Sequence, residues 1–480
     1  MNAAEASAHR VAPNELWCAL LIATAWVLLL RPGSFSLPYF WDEADVYAQG
    51  ARWLALHDLD PTPGHFPDDW SRGHPPLLYW IGGVAFRLFG AGPLVAHALI
   101  IPCTIVALVA TYVLGRELSG SRWVGCGGAL LLGCSPLFMT MGVFFLPEMP
   151  LTAFTAVALV CAQRKHYLAA ALCGVVLVWI KETGLATPLA ISSALLATAL
   201  HTKQYREARK PIAISLSPVL ALALFFVWQR IAAGYFVFPH HQNLFAERSF
   251  NALSAFTIFP SLLLWHGRWV ATLAACLGCS AFLLRKETSA LLHPATAALA
   301  IIFLVLGNAI FFAKMFWLER YALPAHPGVC VLLSWAIVAG AVRMAPRVRQ
   351  LGMLPIAATT VIGLISLYAD GTTPVPEHTF AFADIIRDHQ AAYQRISRDG
   401  EQVILTTWPL TTELREPWLG YVDQPMRSAH PDNLSSRDEQ PTAVLVDATS
   451  HRAEELRRYA REHGMSQRWR VRTLEYYRAD

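Results

Sequence analysis

Trp41-Asp42-Glu43-Ala44 places two adjacent carboxylates just beyond the first long apolar run of the chain, Leu16–Leu30. Further along comes His74-Pro75-Pro76-Leu77-Leu78-Tyr79-Trp80, a segment suited to lie at a membrane surface and shape the same pocket. An acid where a helix leaves a bilayer can deprotonate a hydroxyl, because apolar surroundings raise a carboxyl pKa toward the working range. A substrate with its head in water and its tail in lipid reaches that depth. The pair also suits a plainer task. Asp42 can N-cap the helix that follows and Glu43 can complement its dipole, each worth about 1 kcal/mol or less. One side chain can cap while its neighbour does chemistry.

Other charged residues recur at the edges of apolar segments. Glu148 sits in Phe145-Leu146-Pro147-Glu148-Met149-Pro150-Leu151, where the flanking prolines limit where its carboxylate can point. A buried, unpaired carboxylate is costly, so Glu148 must be paired or at a surface. Lys181-Glu182 closes another turn, and Arg320 follows Glu319 in Glu319-Arg320-Tyr321-Ala322-Leu323-Pro324. Fixed cations there suit a phosphate or pyrophosphate headgroup, with Arg offering a two-pronged fork and His74 a further donor. Snorkelling side chains and simple ion pairs are the competing account of Lys181, Glu182 and Arg320. His240-His241, with nearby carboxylates, is the weaker case for a divalent metal, and the reading requires no cofactor. Cys276-Leu277-Gly278-Cys279 has CxxC spacing but lies in an apolar helix without a second ligand pair, so it is read as core.

These residues hang on a frame that composition makes plain. Of 480 residues, 55% are hydrophobic and only 15% charged, against about 25% charged in soluble domains, so the chain is read as a polytopic α-helical membrane protein. About 20 apolar residues span a bilayer core. Eleven segments qualify: 15–31, 94–115, 122–142, 148–163, 167–181, 184–201, 211–230, 268–284, 292–312, 322–342 and 350–369. Basic loops at Arg116–Arg122, Arg164–His166, Lys203–Lys210, Arg285–Lys286 and Arg343–Arg349 alternate with loops poor in Lys and Arg. The positive-inside rule puts the basic loops and the N-terminus in the cytoplasm. Residues 32–93, Glu148, Lys181-Glu182, the Lys314–Arg320 turn and the C-terminal tail then share the outer face of an inner, or cell, membrane.

Within the first outer loop, 32–93, Ala44, Tyr47, Ala48, Ala51, Leu54 and Ala55 recur at helical spacing while Asp45, Gln49 and Arg52 face away. That pattern predicts an amphipathic helix on the membrane surface. Pro75–Gly90 is read as a second interfacial or re-entrant helix, since a full crossing there would invert the charge pattern downstream. Residues 1–369 are thus taken as the membrane domain and 370–480 as an extracytoplasmic soluble domain. The tail carries 14 Arg and no Lys against 18 acids, whereas the rest carries 24 Lys and Arg against 16 acids. Helices over Phe380–Ser397 and Arg452–His463, and strands over Val403–Thr407, Ala443–Val446 and Trp469–Tyr477, predict a small α/β fold in the tail. No phosphate loop or nucleophile constellation appears in it.

Four motifs in order resemble a known family. Asp42-Glu43-Ala44 with Tyr47-Ala48, then Pro75 to Trp80, then Leu146 to Leu151, then Arg320 to Pro324 are similar to the C-type membrane glycosyltransferases. Nearest are the bacterial aminoarabinose and protein mannosyltransferase-like enzymes of glycosyltransferase family 39. The resemblance runs over about residues 15–345. It implies transfer of a sugar from a polyprenyl-phosphate carrier to a lipid, glycan or protein acceptor on the outer face. It maps the catalytic acids to Asp42, with Glu43 beside it, and to Glu148, where the family usually has Asp. Substrate contacts are expected from His74, Tyr79, Lys181, Glu182, Arg320 and Tyr321. Aminoarabinose transferases typically carry Glu-Lys before the two prolines, where this chain has Gly73-His74, which argues against aminoarabinose as the sugar. Single displacement at the anomeric carbon inverts its configuration.

Two other classes compete. A transporter places charges near mid-membrane in broken helices with two related halves, whereas here the notable acids cluster at one face and no repeat is visible. A non-catalytic relative would bind lipid-linked glycan or scaffold an envelope complex, and the Gly73-His74 and Glu148 departures are what favour it. Partners are accordingly lipids and lipid-linked sugars, with no nucleic acid.

Overall fold

A computed structural model of the chain describes residues 11–29, 33–284, 296–315, 318–344, 352–368, 379–400, 402–436 and 440–479. The expected domain boundary at 369/370, the Arg285–Lys286 loop and most of the Arg343–Arg349 loop lie outside the described residues. In hydrocarbon every backbone N–H and C=O must be satisfied within the chain, so long apolar runs fold as helices. Each of the eleven apolar segments carries one. The series runs Pro13–Leu29, Pro93–Ser119, Arg122–Gly133, Glu148–Gln163, Tyr167–Ile180, Ala186–Thr202, Tyr205–Ala233, Arg268–Leu284, Thr296–Lys314, His326–Met344 and Met353–Leu367. The segment expected as one helix over 122–142 is instead broken. Ser135 is extended and Pro136, a good helix starter, opens a separate helix, Pro136–Met141.

Among the described residues, five stretches are long and apolar enough to cross a membrane unaided: Pro93–Ser119, Glu182–Thr202, Tyr205–Ala233, Thr296–Lys314 and Glu319–Arg343. A pair bent by 49°, Ala252–Leu263 with Trp265–Ser280, makes a sixth candidate. Leu21, Ile22, Leu220, Ile231, Ile310 and Ile365 stay exposed on the helices. So much exposed apolar surface is an aggregation liability in water and an ordinary lipid-facing surface in a bilayer. The protein is a multi-pass membrane protein. Where helices cross closely, the residues are small. A Cβ on Gly340 would run into the Gly278 backbone, and one on Gly278 would meet the carbonyl oxygen of Ala336. The glycine inside the CxxC segment therefore serves close helix packing.

The segment from 33 to 92 sits at one end of this bundle. It holds a single π-turn, Glu43–Tyr47, continued by Ala48–Leu56, and a helix over Leu77–Phe89. Leu77–Phe89 has thirteen residues and rises about 20 Å, against a hydrocarbon core of ~30 Å. The predicted apolar face is real, since Ala44, Tyr47, Ala48, Ala51 and Leu54 are buried. Its cover, however, is protein rather than lipid. Tyr79 and Phe66 close on Gly50, and Gly82 lies against Ala51 and Phe145. A Cβ at Gly82 would stand 2.5 Å from the Phe145 ring and 2.8 Å from the Ala51 side chain. Gly82→Val is expected to destabilise the protein by about 1–3 kcal/mol through overpacking, read as a lower thermal midpoint in detergent at fixed scan rate.

The C-terminal part forms a five-stranded sheet with helices Ala381–Arg398 and Ala453–Glu462. Strands β1 (Val403–Leu405), β2 (Arg427–Ala429), β3 (Ala443–Asp447), β4 (Ser466–Val471) and β5 (Leu474–Arg478) lie in the order β2-β1-β3-β5-β4. β1 is parallel to β2 and β3, while β5 is antiparallel to β3 and β4. The single strand expected over Trp469–Tyr477 is really a hairpin turning at Arg472, whose φ is 47°. β2 was not predicted; three residues are too few to show alternation.

Candidate active site

Asp42 does not act as a cap. Its backbone is already helical and its side chain makes no capping hydrogen bond. The preceding Trp41 adopts a left-handed φ of 48°, a strained conformation for a bulky residue that turns the chain into the π-turn. The Asp42 carboxylate, about a third exposed (34%), instead pairs with the buried guanidinium of Arg320. Burial by itself would raise the Asp42 carboxyl. The charge and hydrogen bond of Arg320, with Arg72 and Lys181 behind it, outweigh that and hold it below the usual carboxylate range. Stability drawn from this pairing is therefore fully present above the ordinary Asp pKa of about 3.9 and fades as pH falls through the lower folded value.

Arg320 links this acid to a second. Its Nε lies 3.7 Å from Glu148 Oε1, and Lys181 Nζ lies 3.6 Å from the same oxygen. Glu148 opens the Glu148–Gln163 helix and is buried between the two cations, with Oε2 making no hydrogen bond among the described residues. Lys181 rests over the Tyr321 ring at 4.7 Å, and the Arg320 guanidinium faces the same ring at 5.6 Å. Asp42, Glu148, Lys181, Arg320 and Tyr321 thus form one cluster, drawn from four separate parts of the chain. Two cations, Arg320 and Lys181, are here matched by two carboxylates, Asp42 and Glu148, and both cations are of the kind that hold a phosphate.

The remaining predicted residues divide. His74 is engaged by Glu182; its Nδ1 is 2.9 Å from Glu182 Oε2. The His241 ring lies 5.2 Å from that of His74. Burial and the neighbouring His74 push His241 down to about 4. Among the described residues, no three His, Cys, Asp or Glu side chains gather as a metal site. Tyr79, expected to touch substrate, is fully buried. Its hydroxyl donates to the Trp70 carbonyl at 3.0 Å, and its ring stacks on Tyr47 at 5.2 Å. It holds the two loop helices together.

Glu43 corrects the expectation most sharply. It is fully buried and faces away from Asp42. Oε2 accepts from the Phe40 N–H at 3.2 Å, and Oε1 accepts from the Phe145 N–H at 2.6 Å and lies 3.0 Å from His97 Nε2. Consecutive residues on a helix point about 100° apart, so only one of the pair can face the cluster. The other is consumed in fastening the loop to the Pro93–Ser119 helix. His97, a polar residue inside an apolar helix, was the available signal for that anchor.

Asp45, expected to face away from the helix's apolar side, belongs to this neighbourhood too. It pairs with Arg72 at 3.3 Å. Burial raises its carboxyl, against the pull of Arg72. The C-terminal part closes over this neighbourhood. The Tyr39 N–H donates to the Leu419 carbonyl at 3.1 Å, and Arg52 lies 3.7 Å from Glu416 and over the Trp418 ring at 4.8 Å. Phe382 packs on Phe144 at 4.7 Å and on Phe40 at 5.9 Å.

Comparison with known proteins bears on the fold. Residues 73–229, about a third of the chain, match the family model for dolichyl-phosphate-mannose-protein mannosyltransferase. ArnT from Cupriavidus metallidurans bound to undecaprenyl phosphate superposes with a TM-score of 0.60 at 14% identity, covering 97% of this chain and 98% of that one. The chain has the fold of the C-type membrane glycosyltransferases. In its apo state the same ArnT superposes equally well, with a TM-score of 0.60 at 15% identity over 96% of this chain and 97% of that one. An uncharacterised protein of Aquifex aeolicus is 32% identical over 88 residues, which is 18% of this chain and 17% of that relative. The chain thus aligns with only about a sixth of that relative's length. Within this fold the motif resemblance read from the sequence is upheld, and the cluster around Arg320 is its candidate centre.

If Arg320 is what depresses Asp42, Arg320→Gln should move the acid limb of any pH–rate profile to higher pH by about 1–3 pH units. An acid limb that stays in place would show that Asp42 does not set it.

Proposed function

We propose that this protein transfers a sugar from a polyprenyl-phosphate carrier to an acceptor oxygen at the outer face of the cell membrane. The observation that carries the reading is the cluster itself. A partly exposed carboxylate, Asp42, stands beside two buried cations, Arg320 and Lys181, at one end of an apolar helix bundle. A lipid-linked sugar phosphate needs that combination of a proton acceptor, a seat for phosphate and access from lipid. The ArnT relative binding undecaprenyl phosphate supports the choice of carrier.

In this mechanism the acceptor hydroxyl attacks the anomeric carbon while the bond from that carbon to the phosphate oxygen breaks. The electron pair leaves with the phosphate, and the acceptor proton passes to Asp42. Inversion at the anomeric carbon follows from the single displacement. Arg320 and Lys181 offset the charge growing on the departing phosphate, a preorganised electrostatic effect. Glu148 is assigned the task of holding both cations in place rather than transferring a proton. Eleven crossings, with the N-terminus cytoplasmic and the C-terminal unit outside, accompany this reading.

The test is transfer in proteoliposomes supplied with a panel of undecaprenyl-phosphate sugars and envelope-lipid extract. Release of undecaprenyl phosphate together with a glycosylated product is expected. Binding of undecaprenyl phosphate with no sugar released from any donor would instead mark a non-catalytic lipid-linked glycan binder. Lys181→Ala is expected to weaken undecaprenyl phosphate binding about ten-fold, the order of one charge-assisted contact, measured by titration of the protein in nanodiscs.

A further inference from the structure

Asp42 lies between two chemically different neighbourhoods. On one side are Arg320 and Lys181, which suit an anion. On the other are two tryptophans and the Asp45–Arg72 ion pair. Asp45 lies near enough to Asp42 for the two carboxylates to repel, and its N–H donates to the Trp41 carbonyl at 3.0 Å. Trp408 comes from the C-terminal unit, on the loop just after β1, and is 41% exposed. Its ring centre is 6.3 Å from that of Trp41 with the planes 50° apart, so the two do not cover each other's faces. Trp408 stands near enough to Asp45 to favour its ionised carboxylate, against the effect of burial. Trp41 is itself fixed by stacking on Phe40 at 5.2 Å. The C-terminal unit is clamped to the 33–92 segment through Leu419, Glu416 and Phe382, so Trp408 is held at this position by packing.

An exposed tryptophan is an unusual thing to hold rigidly beside a half-exposed acid. A pyranose ring has a face of C–H groups, which are attracted to the negative face of an indole. It also has hydroxyls at its rim that donate to carboxylates. We propose that Trp41, Trp408 and Asp45 form a subsite for a neutral sugar ring of the acceptor, so that the acceptor is a glycan and the C-terminal unit supplies part of its seat. The inference rests on the transfer reaction proposed above, and it goes further by choosing among lipid, glycan and protein acceptors. The cation on this side, Arg72, is already matched by Asp45, whereas Arg320 and Lys181 are the cations assigned to phosphate, so this side is left for the attacking hydroxyl. Trp408 and Asp45 are positioning residues, since neither is adjacent to the bond that breaks.

The test uses the full-length protein in nanodiscs and saturation-transfer NMR with a panel of methyl pyranosides in the gluco, manno, galacto and N-acetylglucosamine series. At least one glycoside is expected to receive saturation from the wild type beyond that from empty nanodiscs. Trp408→Ala and Asp45→Asn should each weaken that signal about five-fold or more, within the range of one aromatic or hydrogen-bonded contact, whereas Trp408→Phe should keep most of it. Undecaprenyl phosphate titration should be the same for all four proteins. That control separates this subsite from the donor site, and a wild type that fails to bind undecaprenyl phosphate would sink the donor reading on its own. Wild-type saturation transfer in both Trp408→Ala and Asp45→Asn overturns the subsite. So does a wild type that ignores every glycoside but takes up a Ser/Thr-rich peptide.

Discussion

Asp42→Asn should lower sugar transfer by about 10²–10⁴-fold while leaving the protein folded. That range is what a positioned general base contributes. Asparagine fills the same space and can still accept a hydrogen bond from Arg320, whose guanidinium keeps Glu148 as a charged neighbour. The thermal midpoint should therefore shift little, and undecaprenyl phosphate binding should hold or tighten as a negative charge leaves the cluster. The measurement is initial rate of transfer in proteoliposomes at saturating donor, set against undecaprenyl phosphate binding in the same preparation. Full transfer by Asp42→Asn would remove the proton-acceptor role and return the residue to an ion-pair partner.

Glu43→Ala, one residue away, should fail differently. Truncation would leave two backbone N–H groups and the His97 ring facing a buried void. Removing one side of such a buried network costs about 3–5 kcal/mol, because the partners are stranded without water. The expected result is a large drop in thermal midpoint in detergent, or poor recovery of folded protein. Glu43→Gln separates stability from chemistry. It keeps the volume and one acceptor, so whatever folds should transfer within a few-fold of wild type, roughly the change expected when no reacting group is lost. A Glu43→Gln protein that folds normally yet loses as much activity as Asp42→Asn would place Glu43 in the reaction after all.

These two neighbours show how far local sequence reaches. Side by side in Trp41-Asp42-Glu43-Ala44, they are equivalent to any argument from residue type. Their separation depends on the turn that Trp41 makes and on His97, which lies 54 positions beyond Glu43 and points into its carboxylate. The helices themselves were legible, because an apolar run has one way to satisfy its backbone in lipid and hydropathy records it residue by residue. Breaks were less so. The expected 122–142 helix stops at Gly133, with Pro136 opening a new one, and the tail hairpin turns at an arginine that carries no turn signature. Tyr79 was misassigned for a related reason. A tyrosine in a motif looks like a ligand contact until a second aromatic, Tyr47, is found stacked on it.

By itself the sequence determined the membrane character, the apolar helices and the likeness to C-type glycosyltransferases, since each is written in short runs of neighbouring residues. Charge alternation between loops also put Asp42, Glu148, Lys181 and Arg320 on a common face. Only the tertiary structure decided who pairs with whom. Arg320 meets Asp42 across 278 positions, and it shares Glu148 with Lys181. Only the tertiary structure, too, brought Trp408 from the tail to the acid pair. Hydrophobic burial sets where a segment lies, whereas an ion pair or ring contact requires two distant side chains at matching height and rotation, which packing alone supplies.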